Sequence, residues 1–382
     1  MMVELPQARS FPAADGYGDS KTSIRAMERA DLPAVARLFN KVFRQQDRDA
    51  GDDLIRYLEA VFFGSPHYAP EHGSVVHDSS DGRIDSALLS VPMEFTVHGR
   101  RMVARLLCAF MVDGRAGAAG AARLARTVRA ARQEMCFSDS SSPVSADHCT
   151  AGGGIILPIQ SLEWRRAFRP LAAAALLAGR QMPLLASGPV IGAFGWVDRA
   201  LRRWRSSLKA EFALGCRTEA ASLDAFFECA VPMLERFSVR PSWSKCEFDW
   251  LASVASRNRS LGTLQSRIVR SDDGRAIGAF LFFGKAKRVA HVLNVLCETG
   301  RELDVTTAMF ASLDEDGYAV AAGMGQPFLM NAILRQRWLS FRHRGYFCMV
   351  TRHAEIKEAA LGNDIYIGGL ASESWSRLLT DF

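Results

Sequence analysis

Apolar positions along the chain alternate between two rhythms. In "ADLPAVARLFNKVFR", Leu32, Val35, Leu38, Phe39 and Val42 recur at helical spacing, with Asp31 placed to cap and Pro33 in the first turn. "DDLIRYLEAVFFG" is a second amphipathic helix ending at Gly64. The period then changes. "SVVHD", "RIDSALLSVPMEFTVHG" and "RRMVARLLCAFMV" read as strands, and the turn signals "SSDG" and "HGRR" between them predict antiparallel hairpins. A short strand near Thr22 to Met27 precedes these elements. "MCFSDSS" follows them as another strand, before Gly152 to Gly154 and "IILPIQ".

The second half repeats this order more faintly. "SLDAFFECAVPMLERF" predicts a helix, residues 262–298 predict three strands with a "DDGR" turn, and "LDVTTAMFASLDEDG" predicts a helix capped near Asp304. "YAVAAGM" then reads as a strand, "PFLMNAILRQRWLS" as a helix and "YFCMVTR" as a final strand. The expected fold class is α/β, with two domains, each a mixed, mostly antiparallel sheet flanked by helices. The expected divisions are a disordered tail over 1–21, rich in Pro, Gly and Asp without apolar period, a first domain over 22–160, a linker over 161–210 and a second domain over 211–382. Arg101 to Val112 should be central in the first sheet.

Composition supports two real cores: 382 residues, of which 48% are hydrophobic. Charge is localised. Glu163 to Lys209 holds nine Arg or Lys against two acids, so this stretch carries +7 of a chain whose net charge is +6. Within it, "WVDRALRRWRSSLK" sets Val197, Leu201, Trp204 and Leu208 on one apolar stripe with Arg199, Arg202, Arg203, Arg205 and Lys209 around it. Pro183, Pro189 and Arg180 interrupt the neighbouring apolar run, which argues against a membrane span. No aromatic platform or zinc pattern accompanies the charge, so nucleic acid is not an expected partner. The eight cysteines show no paired spacing, and the start lacks the basic and apolar regions of a secretory signal; both point to reduced thiols, no metal and a cytoplasmic protein.

The most informative stretch is "MVDGRAGAAGAARLARTVRAAR", Met111 to Arg132. An apolar strand passes through Gly114, Gly117 and Gly120 into a helix whose Leu124, Val128, Ala131 and Met135 share a face. A strand feeding a helix through such a turn leaves the first helical N–H groups unpaired at the positive end of the helix dipole, a setting suited to phosphate. Glycine there would let the ligand approach the backbone. The spacing matches neither a Walker loop nor G-x-G-x-x-G; a plain tight turn is the alternative.

With "IRAMERADLPAVARLFN" and the order of elements, "VDGRAGAAGAARL" resembles the GCN5-related N-acyltransferase superfamily, whose pyrophosphate motif is Arg/Gln-x-x-Gly-x-Gly/Ala at this junction. Counted from Val112, Gly117 takes the Arg/Gln slot while Gly120 and Ala122 match the glycine slots; counted from Arg115, the arginine is kept, Ala118 replaces the first glycine and Gly120 fills the last. Through either register the resemblance implies that the backbone of Gly117, Ala118, Ala119, Gly120, Ala121 and Ala122 binds coenzyme A. The second half has only "CETGRELDV" at the equivalent turn, so its cradle is absent. The pair resembles tandem acyltransferases, including Fem-type and polysaccharide-cluster relatives.

The resemblance implies transfer of an acyl group from acyl-CoA, or from the phosphopantetheine of an acyl carrier protein, to an amine-bearing small molecule or sugar. It requires a base near the splay of two central strands and a thiol or hydroxyl to protonate the leaving thiolate. Glu94, His148 and Cys149 are the catalytic candidates, with His98, Cys108 and Asp139 nearby; His148 and Cys149 are expected in a loop. His291, Asn294 and Glu298 share a strand in the second half. The basic linker over 196–209 reads as a helix packed between domains, as a dock for an acidic carrier protein or as a peripheral membrane contact. The alternative function is a catalytically inactive tandem scaffold that binds a partner.

Overall fold

A computed structural model describes residues 23–115, 117–178, 182, 188–205, 208–211, 213–285 and 288–382. The expected tail over 1–21 lies outside the described residues.

The chain opens with β1 (Ser23–Ala26), α1 (Leu32–Phe43) and α2 (Asp52–Phe62). There follow β2 (Val75–Asp78), β3 (Ile84–Val97), β4 (Arg100–Val112), α3 (Ala118–Thr127), β5 (Cys136–Ser141), α4 (Pro143–Ala151) and β6 (Ile155–Ile156). His98 and Gly99, with φ of 45° and 81°, form the turn of the β3–β4 hairpin, in the left-handed conformation such turns need. The middle of the chain carries β7 (Leu162–Ala167), α5 (Pro170–Ala178) and α6 (Gly188–Trp204). The second half runs through β8 (Cys216–Ala221), α7 (Leu223–Leu234), β9 (Val239–Pro241), α8 (Lys245–Ser256), β10 (Thr263–Ser271), β11 (Ala276–Gly284), β12 (Val289–Cys297), α9 (Glu302–Glu315) and β13 (Val320–Met324). It ends with α10 (Met330–Leu334), β14 (Leu339–His343), β15 (Tyr346–Val350) and α11 (Ala354–Leu361).

These strands form two mixed sheets flanked by helices. The first has the order β1-β2-β3-β4-β5-β15-β6, with β9 also paired to β3; the second has the order β14-β7-β13-β12-β11-β10-β8. Each contains one parallel pair, β4 with β5 and β12 with β13, joined through a crossover helix, α3 or α9. The other pairings between these strands are antiparallel, and β4 is central as expected.

Sheet membership crosses the chain's midpoint. β7, from the first half, pairs with β13, and β15, from the end of the chain, pairs with β5. Packing explains both. Phe347 of β15 stacks on Phe137 of β5 with centroids 6.2 Å apart, and Phe137 meets Phe95 of β3 at 5.6 Å. Trp164 of β7 meets Phe310 of α9 edge-on at 5.4 Å and lies opposite Gly323, where a Cβ would come within 2.6 Å of the indole. Each half therefore supplies an aromatic side chain to the other's core.

Two expected helices are shorter. The helix after the glycine turn ends at Thr127, because Thr127 Oγ1 donates to the Leu124 carbonyl at 2.7 Å and Gln133 Nε2 donates to the Thr127 carbonyl at 2.6 Å. The stretch from Pro327 helps form a single 3₁₀ turn and α10, then turns at Trp338 (φ 57°) into β14, whose pairing with β7 outweighs helical continuation.

Candidate active site

The β4–β5 pair is parallel only at Arg105 with Cys136 and Leu106 with Phe137. Beyond that point the strands separate, while β5 stays paired along its other edge with β15. At the same place β4 bulges: Leu107 faces Ser90 and Ala109 faces Leu89, leaving Cys108 without an opposite residue in β3. A cavity of about 520 Å³ occupies the opening. Its apolar wall includes Phe39, Leu88, Leu107, Phe137 and Leu378, and Cys108 lines it at the bulge.

Glu373 also lines this cavity. Its carboxylate accepts from Ser140 Oγ at 2.9 Å, and its backbone N–H donates to Asp139 Oδ1 at 3.1 Å. Asp139 is held in turn by Arg344, whose NH2 lies 3.0 Å from Oδ2. Burial, then the nearby Asp139 charge, hold the Glu373 carboxyl well above the usual carboxylate range. Burial and the same two carboxylates raise the Cys108 thiol. Two acidic side chains in unlike environments, one charge-paired and one held back from ionising, form an arrangement suited to proton transfer. Asp139 was within reach of sequence reasoning; Glu373 was not, since nothing in "ASESW" marks it.

His148 and Cys149 line the cavity, and they do so from α4 rather than from the expected loop. Pro143 at the first helical position and Ser142, which accepts the Ser145 amide at 3.2 Å, start a helix there. Cys149 Sγ donates to the Met349 carbonyl of β15 at 3.8 Å, and the neighbouring Cys348 thiol, then burial, push the Cys149 thiol up. Glu94 does not reach the cavity lining: its carboxylate lies 3.4 Å from Arg101, and its amide donates to buried Glu247 at 3.1 Å. His98 serves in the β-hairpin turn.

The glycine turn has a reason the sequence did not disclose. Gly117 and Gly120 are buried, and a Cβ on Gly120 would stand 2.5 Å from His77 Nδ1 and 2.6 Å from Asp85 Oδ1, themselves joined at 2.8 Å. A Cβ on Gly117 would meet the Asp85 carbonyl at 2.6 Å. Both glycines thus let α3 approach β2 and β3. The surfaces left outward at this helix start belong to Arg115, Ala118, Ala119 and Ala122, while Val112 and Ala121 are half-buried.

The second sheet has a corresponding bulge, with Leu293 unopposed between the Leu281–Asn294 and Phe282–Val292 pairs, and β12 parts from β13 after Val292. That opening is filled by the chain itself. Asn294 Nδ2 donates to Tyr366 Oη at 2.9 Å, the Leu370 amide donates to Asn294 Oδ1 at 3.0 Å, and Gln326 Nε2 donates to the Ile367 carbonyl at 2.9 Å. Glu298 pairs with Arg275. Among the described residues no cluster of three or more His, Cys, Asp or Glu could hold a metal ion, and no helix is long and apolar enough to cross a membrane.

The parallel strands β4 and β5 thus part beside a bulge in β4, and the cavity in the opening is also lined by Ala125 of α3 and by Val128, which follows that helix. The fold is that of the GCN5-related N-acyltransferases. The structure is similar to a GCN5-related N-acetyltransferase from Anabaena variabilis (TM-score 0.56, 10% identity, 89% of this chain and 75% of that one). It is also similar to a conserved Enterococcus faecalis protein described as a probable N-acyltransferase (TM-score 0.54, 11% identity, the same coverage) and to a GCN5-related N-acetyltransferase from Kribbella flavida (0.50, 13%, 86% and 71%). No family model and no curated protein sequence matches the chain.

Proposed function

We propose that this protein is an N-acyltransferase that binds an acyl thioester in the opening between β4 and β5 and passes the acyl group to an amine. The observation that carries the reading is the buried carboxyl of Glu373 on the wall of a largely apolar cavity at the β4 bulge. In this reading the thioester lies along the free edge of β4, and backbone donors at the bulge polarise its carbonyl. Glu373 takes the proton that the amine releases as its nitrogen bonds to the acyl carbon and the carbon–sulfur bond breaks. Its raised affinity for protons suits a base that must draw one from an amine. His148 and Cys149 are among the cavity-lining groups that could supply the proton taken up by the leaving thiolate, and we assign them that role. The thioester comes from acyl-CoA or from a carrier protein's phosphopantetheine arm. Its phosphates lie at the start of α3, near Arg115, Ala118 and Ala119. The acceptor is an amine-bearing small molecule or sugar.

Calorimetric titration with acyl-CoA, followed by single-turnover transfer to a panel of amines, tests this. Saturable binding, with transfer that Glu373→Gln slows by about a hundredfold while binding persists, is the expected result. Absence of binding to any acyl-CoA or acyl carrier protein would favour the catalytically inactive scaffold.

A further inference from the structure

Among its described residues, the linker helix α6 is anchored along one side. Asp198 is buried, and its carboxylate accepts the amides of Leu171 and Ala172 in α5 at 3.0 and 2.9 Å. Arg202, one turn on, pairs with Asp314 of α9 at 2.6 Å. These contacts fix which face of α6 meets the protein. The opposite face carries Trp196, 68% exposed, and Trp204, 91% exposed, with Val197 and Leu201 exposed between them. Ala193 and Ala200 are exposed on the same side. The stripe read from the sequence as packing between domains is thus turned outward; only Leu208, beyond the end of the helix, is buried.

Arg199, Arg203, Arg205 and Lys209 are exposed around this apolar face. They lie in the stretch that carries all of the chain's net positive charge. The two indoles are eight residues apart, about 12 Å along the helix axis, and no more than about a quarter-turn apart around it.

We propose that this face of α6 rests on an anionic lipid surface. The helix lies in the plane of the interface, with Trp196 and Trp204 among the headgroups, Val197 and Leu201 at the acyl boundary, and the surrounding cations against lipid phosphates. Two features select lipid over a protein partner. Tryptophan spaced along one exposed helix side is suited to the boundary layer of a bilayer, where an indole keeps its ring in apolar contact and its N–H wet. A basic border around an apolar strip, on a helix too short and too charged to span, is the pattern of an interfacial helix. The proposal stands independently of the acyl-transfer reading.

The test is flotation of the full chain with vesicles of phosphatidylcholine, with and without phosphatidylglycerol. The expected result is binding that needs phosphatidylglycerol and falls at high salt. It weakens by at least about tenfold both in Trp196→Ala/Trp204→Ala and in Arg199→Glu/Arg203→Glu. Quenching of tryptophan emission by brominated lipid should be lost in the first double variant. Matched melting curves confirm folding. Equal acyl-CoA binding in solution by all three proteins separates this outcome from failure of the acyl-transfer reading. The proposal is overturned if the wild type ignores anionic vesicles or if either variant binds them as well as the wild type does. It is equally overturned if the charge reversal abolishes binding to an acidic carrier protein while no vesicle is bound.

Discussion

The side-chain amide of Asn294 donates to the hydroxyl of Tyr366, closing the second strand opening with the chain's own C-terminal segment. Seven residues after that tyrosine, the same segment brings Glu373 to the wall of the first opening. The segment that fills the opening in the second sheet therefore also lines the cavity in the first.

Asn294→Ala should therefore act at both places. It leaves the Leu370 amide without its partner and removes one of the two hydrogen bonds at the buried Tyr366 hydroxyl, the Val295 backbone bond remaining, which should cost about 1–3 kcal/mol. Thermal melting reads the loss of stability. Transfer activity below the melting range should fall as well, since the segment that places Glu373 is loosened.

Gly120→Ala tests the packing role of the glycine turn. The added Cβ meets His77 and Asp85, so overpacking should lower stability by about 1–3 kcal/mol. An unchanged denaturant midpoint would mean that α3 can move off β2 and β3 without cost.

Glu373 makes the reaction depend on pH with a definite sign. Its carboxyl is raised, so below that raised value it is protonated and cannot accept the amine's proton. The rate should fall as pH drops through that range and rise above it. In Glu373→Gln this limb should disappear from the profile of kcat/KM.

Glu247 predicts a pH effect on stability instead. Burial pushes its carboxyl up to about 8 in the folded protein, above the ordinary value of an unfolded chain. Between those values the folded state binds the extra proton, so this group's contribution is present at low pH and lost as pH rises toward about 8. Glu247→Gln should be relatively more stable at pH 8 than at pH 5 by more than about 1 kcal/mol. Urea melts at the two pH values measure it.

The cavity's apolar wall predicts the response to acyl length. Each methylene buried should add about 0.8 kcal/mol, roughly fourfold in Kd, until the opening is filled. Calorimetry across acetyl- to palmitoyl-CoA locates the break; a flat series would place the acyl chain outside the cavity.

The order of elements was legible in the sequence because it rests on local periodicity. The three-strand run from Val75 to Val112, the strand-to-helix turn, the helix at Leu32 and the repeated pattern in the second half all follow from side-chain spacing and turn residues. The likeness of fold came separately, from the resemblance of the strand-to-helix stretch and of the order of elements. What periodicity reports is that a strand has a buried face, not which sheet it joins. Pairing of β15 with β5, and of β7 with β13, depends on aromatic contacts between distant stretches that leave no local trace. The same limit hid Glu373, which meets Asp139 from 234 residues away, and the outward turn of Trp204, which depends on Asp198 and Arg202 anchoring the other face of α6. Gly120 shows the division most plainly. The sequence alone determined that the chain needs no side chain there, but only the tertiary structure, by setting His77 and Asp85 beneath it, decided why.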